Sequence, residues 1–302
     1  MPSETRGKSP YRPPTSTYRV QFNREFTFRD GRAIAPYLRE LGVSDLYASP
    51  YLQARPGSMH GYDISDHSNL NPELGGPEDH TAMVAALREN SLGHMLDIVP
   101  NHMGIGEPSN LWWMDVLENG PTSAFAPFFD IDWDPLKSSL AGKVLLPILG
   151  DQFGVVLESG DLKLVFEDGC FRIHYFEQQL PVAPRSSSLV LRRALQKTAE
   201  LTSQDDDAFL ELESIVMALE HLPLADRSDP ESTAMRRRES AVSRRRLLAL
   251  RDSSETFRRA LDAALAEYNG IPGDPASFDA LEGLLNEQSY RLAYWRVAAE
   301  EI

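Results

Sequence analysis

The chain has a single cysteine, Cys170, in 302 residues. That excludes an internal disulfide and any cysteine-rich metal site. Long apolar runs are missing as well, since no window approaches the roughly 18 consecutive apolar residues of a membrane span. The start, residues 1–14, is polar and proline-rich, with no apolar stretch to act as a secretion signal. Basic charge is scarce: 30 Lys and Arg stand against 45 Asp and Glu, a formal net charge of −15. Nucleic acid and anionic membranes are therefore disfavoured as partners, because both need basic surface. No glycine-rich phosphate loop and no His-x-x-x-His pair occurs, so neither a cofactor nor a metal is expected. These absences fit a cytoplasmic protein with a neutral substrate such as a sugar.

What is present reads as an ordinary globular chain, 42% hydrophobic and 25% charged. Residues 1–14 are expected to form a disordered leader. Residues 17–22 alternate and are β-prone, giving a first strand. Residues 30–41 place Ile34, Tyr37, Leu38 and Leu41 at helical spacing and stop at Gly42. Residues 43–48 give a second strand, a long loop runs to about Leu74, and Pro77 opens a helix to Arg88. Residues 92–99 form a third strand. Strands alternating with helices at this pitch imply βαβ units and a parallel sheet. After His102 the rhythm changes. Residues 110–117 read as a short aromatic helix or turn, and residues 155–165 and 170–175 as a hairpin around Glu167-Asp168-Gly169. Residues 189–201, 207–222, 231–250 and 255–268 read as helices. A Pro/Gly linker, 271–277, precedes a last helix-like segment.

The most informative segment is Asp97-Ile98-Val99-Pro100-Asn101-His102. It follows the apolar run 92–95, so it reads as the end of a buried parallel strand that delivers Asp97, Asn101 and His102 at its carboxyl end. Sites of (β/α)-barrels are built there. His and Asn offer hydrogen bonds to sugar hydroxyls, and Asp97 can hold a cation or guanidinium; the alternative is a polar strand end that caps the next turn. A second cluster, Arg55-Pro56-Gly57-Ser58 with His60-Gly61-Tyr62-Asp63 and Asp66, lies on the loop after strand two. Tyr62 supplies a flat face for a sugar ring and Asp63 a carboxylate for its hydroxyls, or else Gly61 and Asp63 organise a surface turn. Two polar clusters after successive strands should converge in space.

Other features read more plainly. Trp112 and Trp113, with Phe125, Phe128, Phe129 and Trp133, suit either stacking platforms or the core of a small subdomain. Arginines 236–238 and 244–246 could bind nucleic acid, but read rather as a solvated helix face paired with Asp205, Asp206, Asp207, Glu211 and Glu213. Cys170 lacks a matching histidine arrangement and reads as structural. Retaining glycosyl transfer needs two carboxylates about 5–5.5 Å apart, and spacing alone nominates neither a nucleophile nor an acid.

Several segments resemble the α-amylase family. Thr17-Tyr18-Arg19-Val20-Gln21 and residues 41–50, Leu-Gly-Val-Ser-Asp-Leu-Tyr-Ala-Ser-Pro, resemble the start of its barrel, and residues 97–102 resemble its first conserved region. Residues 54–58, 60–63, 71–76, 112–121, 128–133, 143–147 and 290–296 are similar to a trehalose-forming branch of that family. The likeness runs from about Thr17 onward and thins through roughly 185–275.

The resemblance implies an incomplete (β/α)8 (TIM) barrel, its first three to four βα units, with a large helical and β-hairpin insertion. Residues 15–109 would belong to the barrel, 110–286 to the inserted subdomain and 287–302 to a return to the barrel, ending inside an amphipathic pattern. The implied reaction converts the reducing-end α-1,4 linkage of a maltooligosaccharide to an α,α-1,1 linkage by intramolecular transglycosylation through a glycosyl-enzyme. His102 and Tyr62 would hold the sugar at the cleavage subsite, with His60 and Arg55 in the same wall. Asp63 would bind sugar hydroxyls, Asp97 would orient an arginine and Asn101 would support the loop. The family's catalytic carboxylates come from later strands, so none is expected in this chain, and a C-terminal part would have to supply them. A different amylase-type hydrolase or glucanotransferase, a non-catalytic glucan-binding remnant, and a helical interaction module over 187–269 remain as alternatives.

Overall fold

A computed structural model of the chain describes residues 12–106, 108–224 and 229–297. The chain divides after Asn110 into two compact units, each with its own core.

In the first unit, β1 (Thr17–Val20), β2 (Asp45–Ala48) and β5 (Gly93–Leu96) form a parallel sheet in the order β1-β2-β5. The register aligns Val20 with Ala48 and Leu96, and Arg19 with Tyr47 and Met95. Because side chains alternate along a strand, this register sorts the sheet into two unlike faces. One carries Val20, Leu46 and Ala48, which are buried in a core with Phe22, Phe28, Leu38, Met83 and Leu87. Leu38, Leu46 and Phe28 are fully buried, each contributing about 1.5–3 kcal/mol. The other face carries Arg19, Asp45, Tyr47 and Met95. Gly93 leaves room there: a Cβ at that position would lie 1.6 Å from the Asp45 carboxylate, which would have to move.

The helices that cover the apolar face follow local rules. Helix α1 (Phe28–Ala33) starts at a capping box in which the Thr27 N–H and hydroxyl donate to Asp30 at 2.8 and 2.7 Å. Those bonds hold the Asp30 carboxyl below its usual range. The single helix expected over 30–41 is two, because Pro36 stands in the first turn of α2 (Ala35–Leu41) and has no N–H to continue a helix through it. Gly42, at φ 84°, ends α2. Helix α3 (Pro77–Glu89) begins on Pro77 as expected.

Three readings change in this unit. The loop to Leu74 contains an antiparallel pair, β3 (Leu52–Ala54) with β4 (Ile64–Leu70), joined in broken register. The Ser-Asp-His-Ser-Asn stretch of β4 has poor strand propensity, so its pairing comes from context. Strand β5 is not a buried central strand. It is the edge of its sheet among the described residues, with His94 and Met95 exposed and only Leu92 of the apolar run buried. It also ends at Leu96, one residue before Asp97, whose N–H still donates to Ala48 O at 2.9 Å. Of the expected leader, residues 1–11 lie outside the described residues, and Arg12 is tied to Ser44 O at 2.7 Å.

The second unit opens with α4 (Leu111–Asn119). Strand β6 (Val144–Leu149) then waits for β10 (Tyr290–Tyr294), its parallel partner. Between them lie α5 (Phe153–Glu158), an antiparallel meander of β7 (Leu162–Glu167), β8 (Cys170–Tyr175) and β9 (Gln178–Pro181), and five helices: α6 (Pro184–Leu201), α7 (Asp207–Glu220), α8 (Pro230–Ser253), α9 (Glu255–Tyr268) and α10 (Asp279–Asn286). The hairpin begins at Leu162 rather than Val155, because residues 153–158 are helical. Its turn places Asp168 at φ 50° and Gly169 at φ 77°, the left-handed pair that matches strand twist in a two-residue loop. Helix α10 is the helix-like segment expected after the linker, and the last strand, β10, follows it.

Alternating hairpin residues Leu162, Leu164, Phe166, Phe171, Ile173 and Tyr175 are buried against α6 and α9, through Val190, Leu191, Phe257 and Leu261. Asn269 stitches α9 to the sheet, its amide exchanging bonds of 2.7 and 3.0 Å with the backbone of Leu164. The arginine run is divided: Arg246 makes a two-pronged pair with Glu211 at 2.8 and 2.9 Å, and Arg236 is buried with a bond to Pro223 O. Arg244 clamps the hairpin turn through Asp168 O at 3.0 Å. Trp113 belongs to this core, and Phe125, Phe129 and Trp133 pack against it, whereas Phe128 is exposed. No helix among the described residues is long and apolar enough to cross a membrane.

Gly169→Ala tests the fit of hairpin to helix. A Cβ there would meet Arg244 O at 2.5 Å and the Leu248 side chain at 2.8 Å. Together with the positive φ this predicts a loss of about 2 kcal/mol or more in urea unfolding of the chain.

Candidate functional site

The polar face of the first sheet and the β3–β4 turn meet at the carboxyl ends of the strands. Asp97, two residues beyond Met95 on that face, accepts from the Tyr62 hydroxyl at 2.5 Å and from the Tyr47 hydroxyl at 3.1 Å, both on Oδ2. The Arg19 guanidinium donates to the Tyr62 hydroxyl and to Gln21 Oε1, each at 3.1 Å, and lies 5.8 Å from the centre of the Tyr47 ring. Gln21 in turn donates to His60 O at 2.9 Å. One carboxylate, two phenols and one guanidinium thus form a connected group drawn from β1, β2, the turn and the end of β5.

The turn that delivers Tyr62 is built tightly. Gly61 has φ 76°, and a Cβ there would sit 2.4 Å from Pro50 O, so only glycine fits. The Gly61 N–H donates to Ser58 Oγ at 3.1 Å, and the Ser58 hydroxyl donates to Asp63. His60 accepts from the Tyr62 N–H through Nδ1 at 3.1 Å, and the two rings stack with centroids 6.2 Å apart. His102 Nε2 lies 3.1 Å from Tyr62 O, so the segment after β5 closes over the turn. Gly104 passes behind it, donating to Ile64 O at 2.8 Å.

The structure therefore brings together Asp97, Tyr62, Asp63, His60 and His102 of the residues named from sequence. Arg55 contributes its backbone N–H to Asp63 O at 3.0 Å from an exposed position, and Asn101 is exposed beside His102. The guanidinium anticipated for Asp97 is one bond removed, reaching it through the Tyr62 hydroxyl. Arg19, Gln21 and Tyr47 were not singled out from sequence. The usable signal was strand periodicity, since Arg19 and Gln21 alternate with buried Val20, and Tyr47 alternates with buried Leu46 and Ala48.

The electrostatics follow from these contacts. The hydrogen bond to Tyr62, aided by the nearby Asp97 charge, raises the Arg19 pKa above its usual value. The bond to Asp97 holds the proton on Tyr47, raising that phenol above its usual pKa. Both site carboxylates accept from hydroxyls, which orients them rather than freeing them for attack. Among the described residues no group of three His, Cys, Asp or Glu is placed to hold a metal. The site can offer sugar hydroxyls two carboxylates, a guanidinium and imidazole nitrogens beside a stacked His–Tyr surface.

Comparison with known proteins gives this geometry a context. The α-amylase catalytic-domain family model matches residues 34–138. A Mycobacterium tuberculosis protein assigned as a maltooligosyl trehalose synthase is 44% identical over 171 residues, 52% of this chain and 22% of that protein. The maltooligosyltrehalose synthase structure from Arthrobacter ramosus matches at 43% identity and a TM-score of 0.50, covering 56% of this chain and 21% of that one. This chain is similar to maltooligosyl trehalose synthases. A solved glycosyltrehalose synthase extends the likeness to 93% of this chain and 27% of its own, at 28% identity and a TM-score of 0.56. The chain thus spans about a fifth to a quarter of the synthases it matches. The synthase likeness and the family model fit a partial (β/α)-barrel-like fold with mixed helices and sheets.

Asp97→Asn tests the site's electrostatics. Removing the acceptor charge is predicted to bring the Tyr47 phenol back toward its usual value, so one tyrosine ionises at lower pH. Tyrosinate absorbance followed through an alkaline titration reads this, with Tyr47→Phe identifying the transition. Because the folded-state pKa of Tyr47 is raised, its contribution to stability is complete below about pH 10 and is lost as pH rises through the folded pKa.

Proposed function

We propose that the first unit is part of the sugar-binding wall of an enzyme that converts the reducing-end α-1,4 linkage of maltooligosaccharides to an α,α-1,1 linkage. The observation that carries this reading is the shared acceptor Asp97 Oδ2, which fixes Tyr62 beside His60, Asp63 and His102 at the strand ends. On this reading the stacked Tyr62 and His60 rings bear on one face of a glucose unit, and Asp63 and His102 bond its hydroxyls. Asp97 positions Tyr62 and, through it, Arg19. Asn101 supports the segment carrying His102, and Arg55 holds the outer side of the turn.

The reaction proceeds by retention, through a glycosyl-enzyme to which the released glucose returns by its anomeric hydroxyl. We assign the nucleophile and the acid to barrel strands outside the fraction of the synthases that this chain matches. Residues 15–109 then count as the first three to four βα units, 110–286 as an insertion and 287–302 as a return toward the barrel. The enzyme acts in the cytoplasm, and the partner of this wall is the remainder of the barrel. Other amylase-type transferases and hydrolases would use the same wall. A curated maltogenic amylase of Bacillus subtilis is 36% identical over 100 residues, a third of this chain.

Titration calorimetry of the full chain with maltopentaose is the direct test. The expected result is saturable binding without loss of reducing ends. Tyr62→Ala and His102→Ala should each weaken it at least about tenfold, or roughly 1.4 kcal/mol. Absence of binding, or binding indifferent to both substitutions, overturns the assignment of the wall. Loss of reducing ends overturns the assignment of the carboxylates to another part of the barrel.

A further inference from the structure

The second unit holds a cavity of about 150 Å³ where α4, the β7–β8 turn, β8, α7 and α8 converge. Its lining contains polar groups that the fold leaves unused. The half-buried Glu118 carboxyl makes no hydrogen bond or ion pair among the described residues. Ser240 Oγ is buried and has no hydrogen-bond partner among the described residues. Arg237, exposed at the rim, is likewise unpaired among the described residues. The other charged groups are committed: Asp115 accepts from Ser123 and Asn119, and Arg244 holds Asp168 O and the Cys170 sulfur. An unmade bond at a buried polar atom costs about 1–3 kcal/mol; Ser240 Oγ is such an atom, and the unpaired Glu118 carboxyl faces the same cavity.

The lining narrows what that occupant is. An anion would meet Glu118 and Asp115, whereas an amine would meet Arg237 and Arg244. The free groups need a partner that both donates and accepts, because a hydroxyl, a carboxyl and a guanidinium share the lining. Burial pushes the Glu118 carboxyl above the usual range. Phe171, Val182, Leu219 and Leu247 supply apolar wall between the polar groups. A cavity of this size takes a six-membered ring, with substituents reaching the rim.

We infer that this cavity is a binding site for one neutral polyhydroxylated ring, a single hexose, separate from the glucan wall of the first unit. Glu118 and Ser240 bond its hydroxyls at the bottom and Arg237 bonds one at the mouth, while Phe171 lies against the ring's carbon face. The site has no catalytic constellation, so its role is to sense free sugar rather than to transform it. The inference stands whether or not the reading of the first unit is right.

Saturation-transfer NMR and calorimetry of the full chain with d-glucose test it. The expected outcome is saturable binding with a dissociation constant in the millimolar range, weakened at least about fivefold by Glu118→Gln and by Ser240→Ala, or roughly 1 kcal/mol. Tyr62→Ala should leave it unchanged, and maltopentaose affinity should be unaltered by Ser240→Ala. Each variant's thermal transition reports its folding, and the small Ser240→Ala change carries the test if Glu118→Gln does not fold. Lack of saturable binding up to about 50 mM glucose means the cavity holds water only and overturns the inference. Glucose binding abolished by Tyr62→Ala and untouched by the cavity variants overturns it too, placing the sugar in the first unit.

Discussion

A single carboxylate oxygen organises the functional end of the first unit. Asp97 Oδ2 receives two phenolic hydroxyls, one from the middle strand and one from a turn thirty-five residues earlier in the chain. An aspartate at the end of an apolar run is unfavourable unless its charge is met. Here it is met by neutral donors, with the guanidinium kept one bond away. Hydrogen bonds to a charged acceptor are about twice as strong as neutral ones, so the shared oxygen ties β2, the Tyr62 turn and the end of β5 into one object. The tight glycine at position 61 and the contact from His102 then have something fixed to bear on.

That arrangement depends on the two-faced sheet behind it. The apolar face anchors the strands against helices α1 to α3, and the polar face is thereby committed to whatever chemistry the strand ends carry. The Asp45–Gly93 pair shows how closely the polar face is packed, because the carboxylate occupies the volume where a side chain of β5 would begin. The second unit follows another logic, an antiparallel meander held by helices, in which Asn269 bonds strand backbone in place of a neighbouring strand and Arg244 bonds the hairpin turn.

Much of this was legible from sequence where the signal is local. The helix over 255–268 matches to the residue, and the Asp168-Gly169 turn follows from turn chemistry. Proline placement could have divided α1 from α2, since Pro36 interrupts an otherwise continuous apolar pattern. What escaped were pairings that no local pattern encodes: β3 with the polar β4, and β6 with β10. At the site, residues with conspicuous motifs were named, whereas Arg19 and Tyr47 sit inside strands whose apolar neighbours dominate the reading. The edge position of β5 was invisible for a related reason, because a run such as Leu-Gly-His-Met does not say how many neighbours it will have.

The β6–β10 pair has a consequence for how the chain is made. Lys143, beside β6, bonds Asn286 across a separation of 143 residues, and the parallel ladder begins just beyond. At translation speeds of about 5–20 residues per second, the strand Val144–Leu149 waits roughly seven to thirty seconds for its partner to emerge. Until then an apolar strand edge is available to other chains. The hairpin and helices encoded between them can fold in that interval and bring the two ends near each other. The segment between the two strands thus acts as an assembly jig, and slowing or deleting its helices would extend the time during which nascent chains can stick together.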